Sequence, residues 1–268
     1  MIRLVLCDVD GTLVGPWSDE VSDRTCRAVR ELAATGVEFG YATGRTIESL
    51  RPVMDQIGLK KAWLAASNGA VLARLDEDGI KVIHEKPIDP AEAVRRLLVA
   101  VPGAIVASWQ DGVYLTTRPF PPGELVAERV APYDDVVGRP TTKAVLRWLD
   151  RTSAEVLERI EGTELPSGVD VVVSKLRAWL DLLPWGVSKA ATAVEIAETM
   201  GIDPSEVLAI GDDYNDIDLL HWAGRGVAMG GSPAPVLAVA DALTGSVEED
   251  GVAQVLEELV SGHGVTTW

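Results

Sequence analysis

An apolar run, Ile2 to Cys7, leads without a break into Asp8-Val9-Asp10-Gly11-Thr12-Leu13. The run reads as a buried strand. Side chains alternate faces along a strand with a period of two, so Asp8 and Asp10 leave its end on the same side. Two carboxylates converging at the mouth of a sheet repel each other. A fold tolerates them when a cation sits between them, or when one keeps the other protonated. Gly11 permits a sharp turn, and Thr12 offers a hydroxyl and an amide to an anion there. A strand followed by a simple Asp-Gly turn is the plain alternative, so the weight of this segment depends on what else the chain brings to strand ends.

Three further segments have the same character. Val37 to Ala42 reads as a second buried strand and ends in Thr43-Gly44-Arg45. A helix follows it, with Leu50, Val53, Met54 and Ile57 at helical spacing and Gly58 as its stop. Val207 to Ile210 is a third apolar strand and ends in Gly211-Asp212-Asp213-Tyr214-Asn215-Asp216. Between them Gly186-Val187-Ser188-Lys189 opens a helix that runs to Met200-Gly201. The first turn of a helix is an unfavourable place for a cation, so Lys189 is best explained by an anion beside it. Thr43 can donate its hydroxyl, and Gly44 and Arg45 their amides, to a phosphate oxygen. An N-cap role for Thr43 in the next helix is an equal alternative. Arg45 can fork onto phosphate or substrate, or serve as an ordinary turn arginine. Asn68, in a Ser-Asn-Gly turn, either caps that turn or touches substrate. Asp213 and Asp218 read as solvated acids near a helix N-terminus.

Outside residues 85–184 strand and helix alternate as a doubly wound parallel sheet requires, with Ser22 and Gly36 bracketing the first helix. Ligands bind beyond the carboxyl ends of such strands, where these segments end. The middle changes to an α+β pattern. Helices are expected over Pro90 to Val101 and Ser153 to Glu161, and strands include Ala104 to Ser108, Val113 to Thr117, Ala144 to Leu149, Val169 to Ser174 and Ala178 to Leu183. The expected organisation is a core of residues 1–84 and 185–268 with residues 85–184 inserted as a separate domain. Because that insertion separates Thr43 from Lys189, it emerges beside the site. Ser174, Lys175 and Arg177, on a turn before the return, are candidates for contact with a leaving group, against the alternative of an ordinary exposed turn.

The chain has 268 residues, 47% of them hydrophobic, enough for a sizeable core. No apolar run approaches the ~20 residues of a membrane helix, and no signal-peptide layout precedes the first strand, so a cytoplasmic location is expected. A net charge of −17 argues against nucleic acid or an anionic membrane surface as partner. An acidic protein handling phosphate needs local positive charge, which points to Arg45, Lys189 and a divalent metal. Cys7 and Cys26 have no metal or redox spacing, and His84, His221 and His263 share no zinc-ligand spacing. The tryptophans of the middle segment read as packing. Trp17 is a candidate for lining an entrance, and Trp268 for packing a loose tail. Nothing in the sequence fixes an oligomeric state.

Taken in order, the Asp8 turn, Thr43, Lys189 and the Asp212 loop resemble the haloacid dehalogenase-like (HAD) phosphohydrolases. Ser67-Asn68-Gly69-Ala70, Gly226-Val227-Ala228-Met229-Gly230 and Glu249-Asp250-Gly251-Val252-Ala253 are similar to the Cof-type branch, which carries a large cap of type IIB. The resemblance agrees with the chemistry of the residues. Asp8 is the expected nucleophile, forming an aspartyl-phosphate, and Asp10 the general acid and base. Mg²⁺ is expected on Asp8, Asp212 and the backbone carbonyl of Asp10. Thr43, Gly44, Arg45, Asn68, Lys189 and Asn215 are expected around phosphate and substrate, with Asp216 orienting the loop and Lys189. Two positions depart from the branch: Asp213 stands where a small or neutral residue is usual, and Gly231 where Asn is usual. The implied function is a magnesium-dependent phosphatase for a small phosphorylated metabolite, with sugar phosphates the leading class. A phosphosugar mutase of the same fold and a catalytically silent binding protein are the alternatives.

Overall fold

The structure is a computed structural model and describes residues 1–262 apart from Trp17 and Leu176, so the readings for Trp17 and Trp268 lie outside the described residues. The chain divides into two compact units, Met1–His84 with Ser188 onward, and Glu85–Val187.

Along the chain, β1 (Leu4–Cys7) feeds the Asp8 turn, and α1 (Asp23–Ala34) follows with the Ser22 side chain accepting from the amide of Thr25 as its N-cap. Next come β2 (Glu38–Ala42), α2 (Ile47–Ile57), β3 (Ala62–Ala66), β4 (Val71–Asp76) and β5 (Gly79–Glu85). The second unit holds α3 (Ala91–Ala100), β6 (Ile105–Gln110), β7 (Val113–Thr116), β8 (Glu128–Val130), α4 (Tyr133–Val137), β9 (Ala144–Arg147), α5 (Ser153–Ile160), β10 (Val169–Val173) and β11 (Trp179–Pro184). The chain then supplies α6 (Lys189–Met200), β12 (Val207–Gly211), α7 (Ile217–Trp222), β13 (Arg225–Ala228), α8 (Ala234–Leu237), β14 (Ala242–Leu243) and α9 (Gly251–Ser261).

The first unit is built on one sheet in the order β14-β13-β12-β1-β2-β3-β4-β5. β1 lies between β2 and β12 and is parallel to both, with Leu4 opposite Glu38 and Val207. Its alternating side chains serve two cores: Val5 and Cys7 pack with Val29, Leu32 and Phe39, while Leu4 and Leu6 pack with Ala193, Ile196 and Leu219. That division follows from the two-residue period of a strand covered on both faces. The sheet departs from the wholly parallel one expected at a single edge, where β4 runs antiparallel to β3. Ser67–Gly69 turns the chain straight back there, and a parallel return needs a crossover far longer than three residues.

The second unit is a six-stranded sheet, β10-β11-β9-β6-β7-β8, with Val94, Leu97, Val106, Leu146, Leu180 and Leu182 in one core. Its pairings are antiparallel except β7 with β8. Among the described residues no helix is long and apolar enough to cross a membrane.

Candidate active site

The carboxyl ends of β1 and β12 and the first turn of α6 bring four charged side chains together. Ser188 caps α6 by accepting from the amide of Ala191 at 3.1 Å, which fixes where the next residue points. Lys189 is only 1% exposed and donates from Nζ to Asp8 Oδ1 at 2.6 Å and to Asp216 Oδ1 at 2.7 Å. The other oxygen of Asp216 accepts from the amides of Asp212, at 2.9 Å, and Asp213, at 3.0 Å. One carboxylate therefore ties the β12 loop to the lysine. Asp213 spends its side chain on the amide of Tyr214. The Thr12 hydroxyl donates to Asp212 Oδ1 at 3.2 Å and lies 3.5 Å from Asp8 Oδ2. Gly11, at φ +87°, lets these groups close up, because a β-carbon there would lie 2.2 Å from Asp212 Oδ2.

Oxygens of Asp8, Asp212 and Asp216 all lie within 4.8 Å of one another, and all three residues are buried. Three carboxylates against one ammonium leave a negative excess in a place shielded from water. Burial pushes the Asp8 carboxyl well above the usual carboxylate range; Asp216 and Asp212 add to the effect, and Lys189 opposes it. Burial also works against the charge on Lys189, yet Asp216 and Asp8 together outweigh it and hold the ammonium above the usual lysine range. A hard divalent cation suits such a set of oxygens and would relieve the repulsion that now favours a proton on Asp8. The donor set therefore fits a metal ion. Asp216, with both oxygens already committed, is better placed to hold the loop than to ligate. Asp10's carboxylate is not part of this trio.

Asp10 instead meets Arg45, which donates from Nε to Oδ2 at 2.9 Å and from Nη2 to Oδ1 at 2.7 Å. Nη2 also donates to Ser18 O at 2.8 Å, and Nη1 donates to the Asp19 carboxylate and to Ser49 O. A guanidinium has five N–H donors, and all are spent on the protein. Arg45, expected either to fork onto phosphate or substrate or to be an ordinary turn arginine, here clamps the second aspartate of the turn. Burial disfavours its charge, but the bonds to Asp10 and Asp19 outweigh that and strengthen its hold on the proton.

Thr43 is fully buried, and its hydroxyl oxygen accepts from the amide of Arg45 at 3.1 Å, which leaves its O–H to donate elsewhere. It does not cap α2, because Thr46 does so by accepting from the amide of Ser49. Asn68 is buried and left-handed, at φ 55° and ψ 27°. Its side-chain oxygen accepts from Asn215 Nδ2 at 2.8 Å, and it lies against the open side of Gly44. The structure thus gathers Asp8, Lys189, Asp212 and Asp216 in one cluster, Asp10 with Arg45 in another, and Asn68 with Asn215 beside Gly44. Asp19 had no sequence signal, since it sits in a loop without periodicity. Buried Cys7 packs under the site, its thiol pushed up by burial and by Asp8.

In the second unit the Ser153 hydroxyl donates to the backbone oxygens of Ser174, at 2.5 Å, and Arg177, at 2.7 Å. The Arg177 guanidinium pairs with buried Glu124, which also takes Arg147 Nε at 3.0 Å. The turn carrying Ser174, Lys175 and Arg177 is thus anchored at both ends, unlike an ordinary exposed turn.

Residues 5–256 match the model of a family described as haloacid dehalogenase-like hydrolases. The chain belongs to that family. The hydrolase is 31% identical over 262 residues to phosphoglycolate phosphatase from Methanopyrus kandleri, across 97% of this chain and 98% of that protein. Among solved structures it is similar to a phosphatase of the HAD superfamily from Bacteroides thetaiotaomicron, at 26% identity and TM-score 0.77 over 96% of this chain and 95% of that one. It also shares its fold with a sugar phosphatase of HAD subclass IIB, at 22% identity and TM-score 0.76 over 96% and 98% of the two chains. The hydrolase is an enzyme of the phosphatase kind.

Proposed function

We propose that this phosphatase is magnesium-dependent and hydrolyses a small phosphorylated metabolite, with sugar phosphates as the leading class, through an aspartyl-phosphate on Asp8. The observation that carries the reading is the buried Lys189 held between Asp8 and Asp216. A buried cation at a helix N-terminus is costly unless anions use it. Here it fixes the Asp8 carboxylate through one oxygen and leaves the other to face the Thr12 turn, where phosphorus would be attacked.

Asp8 and Asp212, with the backbone carbonyl of Asp10, would hold Mg²⁺. When bound, the ion would neutralise negative charge on the phosphoryl oxygens as the ester bond breaks. Asp8 attacks phosphorus in line with the leaving oxygen, and Thr43 and the amides after it orient the phosphate. Asp10 delivers a proton to the leaving alcohol, then takes one from the water that attacks the aspartyl-phosphate. Arg45 grips both Asp10 oxygens, so it aims that side chain; a proton on Asp10 must displace one arm of the clamp. The second unit is the proposed type IIB cap and selects the leaving group, with Ser174, Lys175 and Arg177 as its proposed contacts. Free thiols at Cys7 and Cys26 suit a reducing, cytoplasmic compartment.

The test is phosphate release from a panel holding phosphoglycolate, hexose phosphates and p-nitrophenyl phosphate, with Mg²⁺ and with EDTA. Wild type is expected to turn over without a second acceptor alcohol, which separates hydrolysis from mutase chemistry. Asp8→Asn is expected to lose on the order of 10³-fold or more, and Asp10→Asn about 10²–10⁴-fold but less than Asp8→Asn. Undiminished hydrolysis in EDTA would remove the metal, and an active, folded Asp8→Asn would remove the covalent intermediate.

A further inference from the structure

Ser67-Asn68-Gly69 is the most unusual stretch of backbone in the first unit. Three successive residues have positive φ, at 50°, 55° and 96°. Only glycine adopts this conformation freely, so Ser67 and Asn68 persist there because their surroundings demand it. Those surroundings are two loops of the site and the helix that carries Lys189. The amide of Ser67 donates to Arg45 O at 2.7 Å and that of Asn68 to Thr43 O at 2.8 Å. The side chain of Asn68 accepts from Asn215, in the loop that follows Asp212. Gly69 lies so close to α6 that a β-carbon would come within 2.5 Å of Ser188 O, and its carbonyl accepts from the hydroxyl of Thr192 at 3.0 Å. Thr192 is buried and stands one helical turn from Lys189, outside every motif.

We propose that this strained turn is the keystone of the site, and that Thr192 is a positioning residue holding the Lys189 helix in register with the Thr43 and Asp212 loops. The proposal rests on the phosphatase reading for its consequence in rate, but not for its consequence in structure. Without the Thr192 bond the Gly69 carbonyl is left buried and unpaired, the turn loses its anchor on α6, and Lys189, Thr43 and Asp212 can drift relative to one another. Phosphoryl transfer depends on that mutual placement.

The test compares Thr192→Val, of nearly equal volume, with Thr192→Ser, which keeps the hydroxyl. Amide hydrogen exchange is expected to accelerate in Thr192→Val over peptides spanning 43–45, 67–69 and 212–216, and to return to wild-type rates in Thr192→Ser. In phosphate release kcat is expected to fall about 10- to 100-fold in the valine variant, with weaker inhibition by orthophosphate and recovery in the serine variant. Loosening confined to α6, or a lower unfolding temperature with unchanged exchange in the three loops, would overturn the proposal. Wild type inactive on the whole panel would strike the phosphatase reading and leave the exchange experiment to decide the keystone. Should Thr192→Val not fold, Asn68→Gly keeps the left-handed backbone while cutting the link to Asn215. It is expected to loosen the 212–216 peptide and lower kcat, and unchanged exchange and kcat there would equally overturn the proposal.

Discussion

Lys189 has almost no contact with water, and its two carboxylate partners are just as buried. Removing one member of a buried ion group leaves the others unpaired, which costs about 3–5 kcal/mol. Lys189→Met is therefore expected to lower the urea-unfolding free energy by about that much in EDTA, because Asp8, Asp212 and Asp216 lose their cation. Added Mg²⁺ is expected to recover part of the loss if the same oxygens hold the ion. Equal stability of variant and wild type in EDTA would show that the lysine does not balance these carboxylates. At this scale the site was readable where a residue type stood out against its local setting. A lysine in a first helical turn and two aspartates one pleat apart are such signals. The Arg45 clamp was not readable, because its partners Ser18, Asp19 and Ser49 come from loop and helix-start positions whose approach depends on tertiary packing. Nor was the role of Thr192, whose sequence position is that of any buried helix residue.

Among the elements, those with period and punctuation were legible. α2 ends at Gly58 in the left-handed conformation and α6 begins at Ser188, as their stop and cap residues predict. β8 and α4 were not anticipated. β8 has three residues, all exposed, and α4 has five, too few to show either a two-residue or a 3.6-residue period. α5 offers a clean measurement on the second unit, because Thr152 and Glu155 form a reciprocal capping box at its start. Thr152→Ala is expected to destabilise that unit by about 1 kcal/mol while leaving hydrolysis of p-nitrophenyl phosphate at low temperature unchanged. Thermal unfolding followed beside initial rates checks both halves, and a parallel loss of rate at full occupancy of the folded state would contradict the second.

For the whole molecule, separate hydrophobic cores in the two units imply separate unfolding equilibria. Trp109, Trp148, Trp179 and Trp185 lie in the second unit, against Trp63 and Trp222 among the described residues of the first. Counting Trp17 and Trp268, the segments of each unit hold four tryptophans, so tryptophan fluorescence and far-ultraviolet circular dichroism each report both units. The urea transitions of the two units are expected not to coincide. Mg²⁺ at 100 times its dissociation constant is expected to shift only the first-unit transition, by about 2.7 kcal/mol. Coincident curves that move together with Mg²⁺ would show one cooperative unit. The pairing of β1 with β12 has a consequence in time. Leu4 is made well before its strand partner Val207, and the whole second unit is made in between. Contacts so distant along the chain form late, while the second unit can collapse on its own as soon as it emerges. A nascent chain thus carries Asp8 without Lys189 or Asp212, and under the proposed mechanism its hydrolytic chemistry stays dormant until synthesis has passed the loop that ends at Asp216.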